Sequence, residues 1–123
     1  MRNAFTKRAA ILALIGLAAC LMLAPACEHK NYDAFAKCLA SKPVIMYGLY
    51  WCEHCAEQKK KFGSSFQYIH YVECGIQGSR AEVPACVEAG VKNFPAWKFP
   101  DGSVIEGVRP LEFLSEKSGC PLR

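Results

Sequence analysis

Apolar and polar residues alternate along this chain in several distinct rhythms. From Ala9 to Ala24 the residues are almost continuously apolar, behind a basic start, MRNAFTKR. In YDAFAKCLASK, Phe35, Cys38 and Leu39 recur at helical spacing behind Asp33, a candidate cap, so the pattern predicts a short helix that Pro43 ends. VIMYGLY is then apolar without alternation, as in a strand covered on both faces. CEHCAEQKKKF consists of helix formers and stops at Gly63, a candidate C-terminal cap. The aromatic and β-branched residues of YIHYVEC predict a second strand. SRAEVPACVEAG reads as a short helix broken near Pro84 and ending at Gly90, and AWKF, the turn PDG and SVIEG as a hairpin. PLEFLSEKSG closes as an amphipathic helix with Pro110 in its first turn and Gly119 beyond its end. Helix, strand, helix, strand, helix, strand, strand, helix is an α/β order, with a central mixed four-stranded sheet flanked by helices.

The first rhythm belongs to a different kind of segment. With 123 residues the chain has room for one small domain, here residues 27–123, behind an export or anchor segment, residues 1–26. The small residues APA precede Cys27 and fit cleavage after Ala26. LAAC resembles a lipobox that would make Cys20 a lipidated terminus, and LAPAC offers Cys27 for the same role. The apolar stretch also reaches the short end of what a retained membrane anchor needs. Each outcome places the domain outside the cytoplasm, in the periplasm or cell envelope, and lipidation or retention would also tether it to the membrane through the N-terminus.

Charge adds an exclusion. The formal net charge of +4 draws on Arg2, Lys7 and Arg8, which lie in the first segment with no acid beside them; without it the balance is about +1. Such a domain has no electrostatic footprint for nucleic acid, and Lys59, Lys60 and Lys61 read as a solvated helix face. The eight cysteines matter more, because an oxidising compartment lets them pair. With Cys27 lipidated, an even set remains: Cys38, Cys52, Cys55, Cys74, Cys86 and Cys120. Parity favours Cys27 as the lipidated residue, the lipobox pattern favours Cys20, and both stay open.

LYWCEHCAEQKKKFG puts a Cys-x-x-Cys pair where a buried strand gives way to a helix. A helix N-terminus presents unpaired N–H groups and the positive end of the dipole, so a thiolate there is stabilised and becomes a nucleophile near neutral pH. Cys52 is expected to attack, through a mixed disulfide, and the more buried Cys55 to resolve it. His54 is a candidate for tuning the thiolate as cation or N–H donor, and Glu53 opposes it by charge. His29 and His70 have no cysteine close in sequence. Zinc would need Cys74 and Cys86 as a second ligand pair, at a spacing that makes a poor knuckle. Copper(I) on Cys52, Cys55 and a histidine is the alternative from another class, a copper-binding chaperone of the envelope, and a static Cys52–Cys55 staple is a third reading. The catalytic reading needs no cofactor and no metal.

Cys74 and Cys86 are well placed to bridge a loop, a closure that chain entropy credits with about 3 kcal/mol; a second redox pair is the other reading. Cys38 and Cys120 are candidates for joining the first helix to the C-terminus. In NFPAW, Pro95 stands on a loop before a strand, where a cis Phe94–Pro95 bond would lay its backbone beside Cys52 and offer hydrogen bonds to an incoming peptide. Trp51, Phe94 and Pro95 are the candidate substrate contacts.

From Pro43 to Gly119 the chain resembles the thioredoxin superfamily, and within it the thioredoxin-like domain fused to bacterial vitamin K epoxide reductase homologues. The resemblance rests on YWCEHCAEQKKKFG, YVEC, PACVEAGVKNFPAWKFPDGSVIEG and LEFLSEKSG. It implies a thioredoxin-like fold, Cys52 and Cys55 as the redox pair, Cys74 and Cys86 as a structural disulfide, and Pro95 as a cis proline. It further implies that electrons pass between cysteines of client proteins and a membrane quinone reductase. The sequence lacks that family's four-helix membrane domain, so a separate membrane redox partner is expected. Ala96 stands where Thr is expected, and the WCGPC of cytoplasmic thioredoxins is absent, so a strongly reducing role is not implied.

Overall fold

The apolar run after Pro43 forms the middle of a sheet with both faces covered. A computed structural model describes residues 30–123. The segment 1–26, the candidate cleavage point after Ala26, the candidate lipidation residues Cys20 and Cys27, and His29 lie outside the described residues. The elements are α1 (Asp33–Ser41), β1 (Ile45–Gly48), α2 (Glu53–Phe62), a 3-10 helix (Gly63–Tyr68), β2 (His70–Glu73), α3 (Pro84–Glu88), β3 (Ala96–Lys98), β4 (Val104–Glu106) and α4 (Leu111–Ser118). The sheet order is β2-β1-β3-β4. β1 runs parallel to β2, with α2 in the crossover, and antiparallel to β3, which pairs antiparallel with β4.

Adjacent residues of β1 and β3 serve opposite faces. Met46 and Trp97 join Phe35, Leu39, Cys55, Phe62, Leu111 and Leu114 in the larger core. Tyr47 and Ala96 join Cys74, Cys86 and Val91 in the smaller one. That two-sided burial explains the absence of alternation in VIMYGLY. The largest fully buried side chain is Trp97, and truncating such a residue to Ala costs about 3–5 kcal/mol. Its ring lies 6.0 Å from that of Phe62, whose other neighbours are Phe35 and Phe66.

Several boundaries differ from the sequence expectation. Asp33 does not cap α1: Tyr32 holds the cap position, Asn31 Oδ1 accepts the Asp33 N–H, and the Asp33 carboxylate instead takes the Ser65 hydroxyl at 2.7 Å. Pro84 starts α3 rather than breaking a longer helix, since the first turn of a helix does not need the N–H that proline lacks. Likewise Pro110 occupies the cap position of α4, one step before its first turn. At its other end, Gly119 turns left-handed with φ 71°, and its N–H closes on the Ser115 carbonyl. The 3-10 helix after α2 was not expected. Nor is Lys59 simply solvated: its ammonium lies 3.9 Å from the centre of the Tyr71 ring.

Two disulfides complete the framework, Cys38–Cys120 and Cys74–Cys86. The first ties α1 to the segment after α4. The second closes the loop from the end of β2 to α3. No helix of the described residues is long and apolar enough to cross a membrane.

Candidate active site

Strand β1 ends at Gly48, and after Leu49, Tyr50 and Trp51 Cys52 takes the N-cap of α2 with extended backbone (φ −85°, ψ 115°). Its carbonyl accepts the Ala56 N–H, the first bond of the helix, and its Sγ accepts the Cys55 N–H at 3.1 Å. The sulfur thus stands where a capping oxygen normally stands, against unpaired N–H groups and the positive end of the dipole. Glu53 in the first turn and Lys59, Lys60 and Lys61 in the last complement that dipole.

Cys52 and Cys55 are both free thiols. Cys52 is half-buried, whereas Cys55 is 1% exposed. Burial, followed by the hydrogen bond with Cys52, pushes the Cys55 thiol up to about 12. One sulfur is therefore reachable and the other is kept protonated behind it.

Because β3 is antiparallel to β1, its start lies beside the end of β1, with Tyr47 opposite Ala96. This register carries Phe94 and Pro95, far away in sequence, to the mouth of α2. The Phe94–Pro95 bond is cis, and the Phe94 carbonyl oxygen is 3.8 Å from Cys52 Sγ. Glu106 of β4 holds this loop, its carboxylate accepting the Lys92 and Asn93 N–H groups and the Asn93 side-chain amide. The Asn93 amide and then the two backbone groups hold the Glu106 carboxyl below the usual carboxylate range. A Gly107 N–H to the Pro95 carbonyl at 2.7 Å completes the attachment.

The remaining candidates separate. Trp51 is 51% and Tyr50 54% exposed, their rings in edge contact at 4.4 Å. Both line an open cleft of about 530 Å³ with Gly78, Ser79 and Arg80. Glu53 points to solvent, and His54 directs Nδ1 towards Glu57 at 3.9 Å, its ring 75% exposed. The Cys74–Cys86 bond sits in the smaller core, across the sheet from Cys55, and Cys74 N–H donates to the Gly48 carbonyl. His70 is exposed. Among the described residues no group of three or more His, Cys, Asp and Glu side chains is arranged to hold a metal ion.

Four residues around the site escaped the sequence reading. Gln58, one turn inward from Cys55, is buried: Nε2 donates to the Arg109 carbonyl, while Oε1 accepts the Arg109 N–H at 2.6 Å and the Trp97 indole at 3.4 Å. Tyr71 and Glu73 stand on β2 beside the CxxC, their side chains bonded at 2.7 Å. Glu106 is the fourth. The period of two in YIHYVEC already put Tyr71 and Glu73 on one face, but nothing local said what that face meets.

No family model matches the chain. It is similar to the thiol-disulfide oxidoreductase LTO1 of Arabidopsis thaliana, with 39% identity over 93 residues. The match covers 72% of this chain and 24% of that protein, so the chain spans about a quarter of the length of this relative. The fold is thioredoxin-like. Its mixed four-stranded sheet and flanking helices are those of that fold.

Proposed function

We propose that this chain is an exported thiol–disulfide oxidoreductase that oxidises or exchanges disulfides in client proteins. The observation that carries the reading is the pair itself: a half-buried free sulfur capping α2, 3.1 Å from the N–H of a second, buried free cysteine. The likeness to a protein named a thiol-disulfide oxidoreductase supports it.

In the reduced protein, the Cys52 thiolate attacks a client disulfide. A mixed disulfide forms, and one client sulfur leaves with the electron pair. Cys55 then displaces the other client sulfur, and the Cys52–Cys55 bond closes. In the opposite direction a client thiolate attacks that bond, and the client leaves oxidised. The Phe94 and Pro95 backbone and the exposed rings of Tyr50 and Trp51 are the surfaces on which the client chain would lie beside Cys52. A membrane tether in residues 1–26 and a quinone-linked membrane partner, as the resemblance to vitamin K epoxide reductase homologues implies, complete the electron path in this reading.

Cys52→Ser is expected to abolish exchange, and Cys55→Ser to accumulate mixed disulfides with clients in cells. Undiminished exchange by the first variant would sink the assignment. Absence of trapped adducts with the second would sink the client-facing role.

A further inference from the structure

Resting on the oxidoreductase reading above, we propose that Tyr71 and Glu73 form the path by which Cys55 loses its proton when it resolves a mixed disulfide. Cys55 must become a thiolate to attack, yet it is 1% exposed. Water does not reach it freely, so the proton needs a partner inside the protein.

Gly48 shows where that partner is. A Cβ built on Gly48 would lie 3.3 Å from Cys55 Sγ and 2.9 Å from the Tyr71 hydroxyl oxygen. Both groups therefore border the Gly48 Cα, and a side chain there would stand between them. From there the hydroxyl donates to Glu73 Oε2 at 2.7 Å. The other carboxylate oxygen, Oε1, accepts the N–H groups of Tyr50 at 3.0 Å and Gly75 at 2.9 Å. Those two bonds fix the carboxylate and leave Oε2 to the phenol. The charged and titratable groups facing Tyr71 are Glu73 on its own strand, Cys52 and Cys55 at the head of α2, and Lys59 further along it. His54 is turned away, towards Glu57.

The step balances. Once the mixed disulfide brings Cys55 Sγ within hydrogen-bond reach of the phenol, Cys55 S–H gives its proton to the Tyr71 oxygen while the Tyr71 O–H proton passes to Glu73 Oε2. The Cys55 thiolate attacks Cys52 Sγ, forming the Cys52–Cys55 bond, and the client sulfur departs with the electron pair and takes a proton from solvent. Half-buried Glu73 returns its proton to water. Burial, then the hydrogen bond to Glu73, holds the phenol well above its usual value. Tyr71 accordingly transmits a proton without resting as a phenolate.

The two half-reactions separate in stopped flow with an equimolar aromatic disulfide, 5,5′-dithiobis(2-nitrobenzoate), and the reduced full chain. The first coloured thiolate is released when Cys52 attacks, and the second when Cys55 resolves. Tyr71→Phe and Glu73→Gln are each expected to slow the second release relative to the first about a hundredfold near pH 7, the lower range for a positioned base. The gap closes towards pH 10 as hydroxide takes over. Two variants guard against a folding defect in either, because Glu73→Gln retains the oxygen that binds Tyr50 and Gly75. A second release at the unaltered rate in both variants overturns the relay while leaving the oxidoreductase reading intact. So does an equal, pH-independent slowing of both releases. An unaltered protein that exchanges with no protein disulfide overturns the reading beneath it.

Discussion

Replacing Cys52 by Ala leaves Cys55 as the sole free thiol among the described residues, and its reactivity then tests the burial argument directly. The Cys55 thiol is raised from 9.0 to about 12, and the leading cause, burial, survives the substitution. A shift of that size lowers the thiolate fraction near pH 7.5 about a thousandfold. The more basic thiolate is also the better nucleophile, and a Brønsted coefficient near 0.45 restores about twentyfold. Because the variant loses the Cys52 hydrogen bond, the second cause of the shift, the net expectation is alkylation up to about fortyfold slower than that of an unperturbed thiol, before restricted access slows it further. The assay is iodoacetamide labelling followed by intact-mass measurement, with a small peptide thiol as reference. The rate should keep climbing about tenfold per pH unit beyond pH 9. Labelling at the reference rate, or a plateau near pH 9, would show that Cys55 is neither desolvated nor held protonated, and the division of labour between the two sulfurs would fail.

Three further outcomes follow from the same geometry. An unfolded chain gives up the Cys55 proton first, so the stability of the reduced protein is complete below about pH 9 and falls as pH rises towards 12; urea midpoints of the form with Cys52 and Cys55 bonded should lack that slope. Gln58→Met keeps the volume but strands the Arg109 N–H, the Arg109 carbonyl and the Trp97 indole, costing about 2–4 kcal/mol in urea unfolding. The Cys38–Cys120 bond spans a sequence separation of 82; its Ala/Ala replacement should lower unfolding free energy by about 4.5 kcal/mol on the chain-entropy estimate, read from denaturant midpoints.

Much of the framework was readable because it is local. The apolar run 44–50 announced a strand with two buried faces, since a covered sheet has no polar side to mark. Helix formers from Cys52 to Phe62 followed by Gly63 announced α2, and a CxxC at that junction carried its chemistry through the backbone dipole alone. Pro84 was misread for an equally local reason: in sequence, a helix-breaking and a helix-starting proline look the same until the chain before it is seen to be extended. The 3-10 turn and the Asp33–Ser65 bond went unseen because they depend on how α1 packs against the chain after α2.

The residues from Pro43 onward determined by themselves that a buried strand meets a helix at a pair of cysteines, because hydrophobic period, capping and turn chemistry act within a few residues. Only the tertiary structure decided which cysteines bond, that the Phe94 carbonyl reaches Cys52, and that Tyr71 faces Cys55 across Gly48. Those relations come from the pairing and register of β1 with β2 and β3. Burial and hydrogen bonding summed over the whole sheet select that register, and no short window of sequence contains the sum.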